Sequence, residues 1–245
     1  MNNKKLHVLI AYFLIYVVWG STYYYIGVAL KDFPPFLLGA MRFSAAGILL
    51  LSWTAYKGEA VFNLNLIKKS AVSGLVLLFI DMAVIMLAQR YVSSSLVAII
   101  ASSTAIWIMA LDVPMWKKNF RNPFAMIGIF VGFLGVALLY IEQYMGENEM
   151  GLSERGVLIL IFGCISWALG TLYTKYFSSG ESSYSFAGSA WQMIFASAMF
   201  WVFSIFRGEP RATNWESISY SSWFSLLYLI FFGSILAYSA YIWLL

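Results

Sequence analysis

Eight apolar runs dominate this sequence, each close to the roughly 20 residues an α-helix needs to cross a hydrocarbon core about 30 Å thick. They fall at 8–30, 35–56, 70–89, 95–116, 123–141, 156–177, 184–206 and 222–245. In lipid, every backbone donor and acceptor must be met inside the segment, so runs of this length fold as helices. The sequence therefore predicts an all-α polytopic membrane protein. Composition points the same way: 11% of residues are charged, against about 25% in an ordinary soluble domain.

The net charge of +4 does not mark a nucleic-acid surface, because the basic residues sit in the short gaps between runs. They report topology instead. With the N-terminus inside, nine fall on the cytoplasmic side (Lys4, Lys5, Lys57, Lys68, Lys69, Lys117, Lys118, Arg121, Lys175) and five outside (Lys31, Arg90, Arg155, Arg207, Arg211). The expectation is a plasma-membrane protein with a cytoplasmic N-terminus and an external acidic linker carrying Glu142, Glu147, Glu149 and Glu154. That linker is the longest polar gap. It divides the chain into a first unit of five helices, 1–145, and a second of three, 152–245.

An internal repeat spans the linker. Trp19-Gly20-Ser21-Thr22-Tyr23 is echoed by Trp167-Ala168-Leu169-Gly170-Thr171-Leu172-Tyr173. Arg42 stands 15 residues before Lys57-Gly58-Glu59, and Gln192 stands 15 before Arg207-Gly208-Glu209. Five spans is an odd number, so a second copy enters the membrane from the opposite side. Such an inverted repeat is the architecture of many secondary transporters, with the solute site near the midplane between the halves.

The stretch WGSTYYYIGVAL, the turn and arginine of FPPFLLGAMRF, the later SWALGTLYTK and the terminal FFGSILAYSAYIW resemble an EamA-type permease of the drug/metabolite transporter superfamily. The resemblance covers essentially the whole chain. It implies ten helices in two inverted five-helix repeats, and transport of small metabolites, often amino acids or related compounds. Where such proteins often carry a proline midway along the fourth helix, this chain reads Ser103-Thr104-Ala105-Ile106, and Lys117-Lys118-Asn119 replaces a frequent Gly-Glu. Eight of the ten helices are present. Leu245 corresponds to Arg90 of the first half, so the expectation is a truncated sequence or a split gene product.

Ionisable groups at membrane depth are the chemical candidates. Arg42 lies seven residues from Pro35 and Asp81 nine from Arg90, which places them about 10 and 13 Å below the same face. A lone charge near the bilayer centre costs on the order of 2.5–3.5 kcal/mol on insertion scales, so the two are expected to pair. The pair would be either a cavity-rim contact that substrate or a proton opens or a static lock between helices. Asp112 is expected to pair with Lys117 and Lys118 at the inner face. Trp19, Tyr23, Trp167, Tyr173 and Tyr238 are candidates to line a pocket, with Ser21, Thr22 and Thr171 orienting a solute and Gln192 facing the cavity, although ordinary helix packing explains each alone. Gly128, Gly132 and Gly135 form a small-residue stripe expected to serve close helix packing.

Other classes have less support. The only acid pair, Asp81 and Asp112, sits at two depths, and the sole histidine, His7, lies at the N-terminal edge, which argues against a triad or a histidine metal cluster in the bilayer. The single cysteine, Cys164, gives no disulfide framework. No phosphate-binding loop is present, so no cofactor or ATP-driven step is expected. The reading is a secondary transporter of a small organic molecule by alternating access, with proton or ion coupling and a homodimer left open. Its alternative is a truncated, non-transporting scaffold or partner subunit.

Overall fold

A computed structural model of the chain describes residues 3–145, 154–177 and 186–245. Among these residues there are helices and turns and no strand. Seven helices are long and apolar enough to cross a membrane: α1 (Lys5–Ala29), α2 (Pro35–Tyr56), α3 (Leu64–Ala88), α4 (Ser94–Leu111), α6 (Arg155–Tyr176), α7 (Phe186–Phe206) and α8 (Tyr220–Leu244). The remaining apolar run is the 23-residue helix α5 (Pro123–Met145). The acidic linker, with the boundary drawn through it, lies mostly outside the described residues.

Helix starts follow local capping chemistry. Pro34 is extended and Pro35 opens α2 at the position where a missing N–H costs nothing. The buried first turn of α2 receives a carboxylate from far along the chain: the Leu37 N–H donates to Glu209 Oε2 at 2.7 Å. The third helix begins earlier than its apolar run, at Leu64, because the Asn63 side chain accepts from the Asn65 and Leu66 amides. Ser219 caps α8 in the same way. The fourth helix stops short of its run, at Leu111, where Asp112 leaves the helical region and Pro114 follows.

The core is built on α2 and α7, which pack along most of their length. Small residues let them approach: Ala40, Ala46, Ala190 and Ala196 are wholly buried, and a Cβ on Gly39 would meet the Phe200 ring at 2.7 Å. Trp201 Nε1 donates to Ser44 Oγ across this pair at 2.9 Å. On the other side of α7, Gly74 of α3 sits against the backbone of Gln192. The glycines of α5 behave differently. A Cβ on Gly128, Gly132 or Gly135 would meet nothing within 4 Å, so the stripe is not a packing seam, and Gly128 and Gly132 instead line a cleft of about 330 Å³ facing α4.

Three helices contain π-helical stretches: Leu14–Trp19 in α1, Gly74–Ile80 in α3 and Leu229–Tyr238 in α8. A π turn carries an extra residue per turn and resets the direction of the side chains that follow. The first ends on Trp19, the second immediately before Asp81, and the third on Tyr238.

Candidate substrate cavity

A cavity of about 240 Å³ lies among α1, α3, α4, α6 and α8. From α1 it takes Trp19, Thr22 and Tyr23, from α3 Asp81 and Met82, from α4 Ser102 and Thr104, from α6 Cys164 and Trp167, and from α8 Tyr241. Its walls combine aromatic surface with a few polar groups, the usual makeup of a small-molecule site. Asp81 is 5% exposed and makes no hydrogen bond or ion pair among the described residues. The backbone opposite it is close: a Cβ on Gly163 would lie 3.2 Å from the Asp81 carboxylate.

One end of the cavity is an aromatic cluster. Trp19 and Trp167 meet edge to face with centroids 5.1 Å apart, and Tyr241 lies 5.3 Å from Trp19 and 5.4 Å from Trp167. The Tyr241 hydroxyl accepts from Trp167 Nε1 at 3.1 Å and shares a second hydrogen bond with Thr171. These bonds fix two of the rings, so the wall is organised before any solute arrives. Tyr238 packs behind it, within 6.3 Å of both tryptophans, and is almost wholly buried.

The expected pairing of Arg42 with Asp81 does not occur. Arg42 Nε donates to Ser234 Oγ of α8 at 2.8 Å, its Nη1 approaches Met82 Sδ at 3.9 Å, and the guanidinium lies 4.8 Å from the Phe43 ring centroid. The reason is angular. Consecutive helical residues point about 100° apart, and on α3 it is Met82, the neighbour of Asp81, that faces Arg42. The expectation from residue counts concerned height alone, and the pair fails on azimuth.

Gln192 does not face the cavity either. Its Nε2 donates to Ser73 Oγ at 2.8 Å and its Oε1 accepts from the Tyr238 hydroxyl at 2.6 Å, tying α7 to α3 and α8. Ser21 likewise turns away, donating to Val18 O and sharing a hydrogen bond with the Tyr228 hydroxyl at 2.8 Å. Thr171 reaches the cavity only through Tyr241, and Tyr173 does not line it. Of the sequence-derived candidates, the structure brings Trp19, Thr22, Tyr23, Asp81 and Trp167 together on one wall surface. Tyr241, Cys164, Ser102 and Thr104 were not singled out as site candidates. The signal for Tyr241 was its place one helical turn from Tyr238, on the run FFGSILAYSAYIW.

Asp112 pairs with a partner other than the expected lysines. Lys175 Nζ of α6 reaches it at 2.7 Å and the Tyr176 hydroxyl also donates to it. Burial pushes this carboxyl up, but the bonds from Lys175 and Tyr176 outweigh it and hold the group below the usual range. The pair clamps the end of α4 to the end of α6. At the opposite end of the fold, Ser219 donates to Asp32 from both its hydroxyl and its backbone N–H, which keeps the Asp32 carboxyl below the usual range.

A larger groove, about 740 Å³, runs along α1, α2 and α8 between Ile10, Leu50, Trp53 and Trp243. Apart from His7 and Ser239 its lining is apolar. It offers no charged group at depth to orient a solute, and its surface suits acyl chains.

Comparison with known proteins fits this arrangement. The family model described as the EamA-like transporter family matches residues 6–141 and 154–245. The "Uncharacterized inner membrane transporter YedA" of Escherichia coli (strain K12) is 28% identical over 96% of this chain and 73% of its own length. An "Uncharacterized transporter" of Archaeoglobus fulgidus is 28% identical over 96% of this chain and 78% of its own. A "Probable amino-acid metabolite efflux pump" of Salmonella typhimurium is 25% identical over 92% and 73%. A solved crystal structure shares the fold with a TM-score of 0.63 at 15% identity, over 98% of this chain and 78% of that one. The chain is a multi-pass membrane protein and belongs to the EamA-like transporter family.

Proposed function

We propose that this chain is a secondary transporter that moves a small organic metabolite, an amino acid or a related compound, through the cavity around Asp81 by alternating access. The observation that carries the reading is a buried carboxyl group without a partner among the described residues, set in an aromatic-walled cavity among five helices. A merely structural acid at this depth would be expected to carry an internal partner, as even Asp112 does just beyond the end of α4. Membership of the family and the name of the Salmonella relative support the substrate class.

Pseudo-symmetric features support an inverted repeat. Gly58 and Gly208, at φ 80° and 69°, each precede a glutamate in the two related hairpins. Capping residues Asn63 and Ser219 start α3 and α8, and each of those helices carries a π stretch near its middle. The α2–α7 pair, holding Arg42 and Gln192 at related positions, would then lie on the pseudo-twofold axis. The charge distribution favours a cytoplasmic N-terminus in the plasma membrane, and proton or ion coupling and a homodimer belong to the same proposal.

Reconstituted liposomes test it. Saturable, competable uptake of a metabolite is expected, and Asp81→Asn should reduce it far more than Asp112→Asn at equal expression. Equal activity of the two variants would remove Asp81 from the mechanism, and no saturable uptake by the unaltered protein would favour a scaffold.

A further inference from the structure

Building on the transporter reading, and narrowing its solute from an amino acid to a related compound without the carboxylate, we infer that the solute held in the Asp81 cavity is a small organic cation, an aliphatic or monocyclic amine, rather than an anion or a zwitterion. Among the described residues that line the cavity, Asp81 is the sole acidic or basic side chain of the Asp, Glu, Lys, Arg and His set. No lysine, arginine or histidine stands there to receive a carboxylate. Arg42 does not line the cavity: it meets the sulfur of the lining residue Met82 and already holds Ser234 and the Phe43 face.

A carboxyl withdrawn from water and given no internal partner takes up a proton or a cation from outside, and an ammonium group can take the proton's place. The Trp19, Trp167 and Tyr241 rings beside it add the electron-rich surfaces that attract ammonium groups. The hydroxyls of Thr22 and Thr104 stand on the same walls, where the additional N–H donors of a primary ammonium can be received. A volume of about 240 Å³ suits one ring or a short alkyl chain and excludes large polycyclic cations. The arrangement assigns charge selection to Asp81 and size selection to the aromatic end.

The test is direct binding to purified full-length protein in detergent, by calorimetry, using four probes of matched size: phenethylamine, 2-phenylethanol, 3-phenylpropionate and phenylalanine. Phenethylamine is expected to bind at least about tenfold more tightly than the other three, with Asp81→Asn removing that preference. Asp112→Asn, outside the cavity, should leave it unchanged. Preferential binding of phenylalanine or phenylpropionate, weakened by Trp167→Ala, would overturn the cation assignment while leaving the cavity as a solute site. Amine binding that survives both Asp81→Asn and Trp167→Ala would overturn the assignment of this cavity altogether. Where Asp81→Asn fails to fold, Asp81→Glu keeps the question open to measurement: it should retain the amine preference with altered affinity, and loss of the preference in a folded Asp81→Glu protein would count against the proposal.

Discussion

Replacing Gly74 by alanine tests whether the α3–α7 contact is a rigid part of the fold. The added Cβ would lie 2.7 Å from the Gln192 Cα and 2.9 Å from its carbonyl carbon. Comfortable carbon–carbon separations are about 3.5–4.0 Å, so the two helices must part by roughly 1 Å. Both colliding atoms are backbone, and no rotamer change relieves them. The same displacement would stretch the adjacent Gln192–Ser73 bond from 2.8 Å to a separation at which it no longer holds. Overpacking of this kind costs about 1–3 kcal/mol, and the lost intramembrane hydrogen bond adds about 0.6 kcal/mol. A total of about 1.6–3.6 kcal/mol corresponds to a drop of roughly 3–14 °C in melting temperature for a chain of this size. The assay is thermal unfolding of a fluorescent fusion in detergent, followed by size-exclusion chromatography. Gly128→Ala is the control: its Cβ would meet nothing within 4 Å, and the gain in helix propensity makes it neutral or slightly stabilising. A Gly74→Ala protein that melts with the unaltered chain, or a Gly128→Ala protein that melts as early, would refute the packing argument.

Three further outcomes follow from described contacts. Gln192→Leu leaves the Tyr238 hydroxyl without its acceptor, while Ser73 keeps its bond to Lys69 O, and should cost about 1–3 kcal/mol in the same thermal assay, while the amine preference assigned to Asp81 persists. Tyr241→Phe keeps the ring but removes the acceptor for Trp167 Nε1 and the partner of Thr171; a severalfold loss of solute affinity with a stability change near 1 kcal/mol is expected, and unchanged affinity would show that the aromatic end needs no fixing. The Asp32 carboxyl is held below its ordinary range by the two bonds from Ser219, so that contact is fully present above the ordinary carboxylate pKa and is lost as pH falls through the depressed folded value. Amide exchange around Ser219–Ser222, corrected for its intrinsic pH dependence, should therefore accelerate on acidification below about pH 4, and Asp32→Asn should abolish that change.

The helices were legible because a bilayer admits few alternatives to an apolar run of helical length. Their ends were less so. The gap from Lys57 to Ser70 reads as polar, yet Leu66 and Ser70 are buried and Asn63 starts the helix six residues before the apolar run. A cap is a side chain acting on its own backbone, and hydropathy does not register it. The site shows the same division. Trp19 and Trp167 could be associated from the repeat, and their rings do meet. Arg42 and Asp81 were matched in height by residue counts and do not meet, because just after the π stretch of Gly74–Ile80 it is Met82, not Asp81, that faces the guanidinium. Periodicity at 3.6 residues per turn cannot anticipate a turn that carries more. Tyr241 escaped notice because its partners, Trp167 and Thr171, lie about 70 residues away in sequence.

The widened turn before Asp81 also bears on how such a cavity diverges among relatives. Deleting one residue from Gly74–Ile80 would close the stretch into regular helix and leave Asp81 near its present direction, because the π stretch already absorbs one extra residue. The same deletion in the regular helix that follows would swing the remainder of α3 by about 100° and draw it in by about 1.5 Å. The cavity's chemistry thus tolerates the loss of a codon in the widened turn and not in the turns beyond it. An ungapped alignment through this helix would then equate residues that face different neighbours.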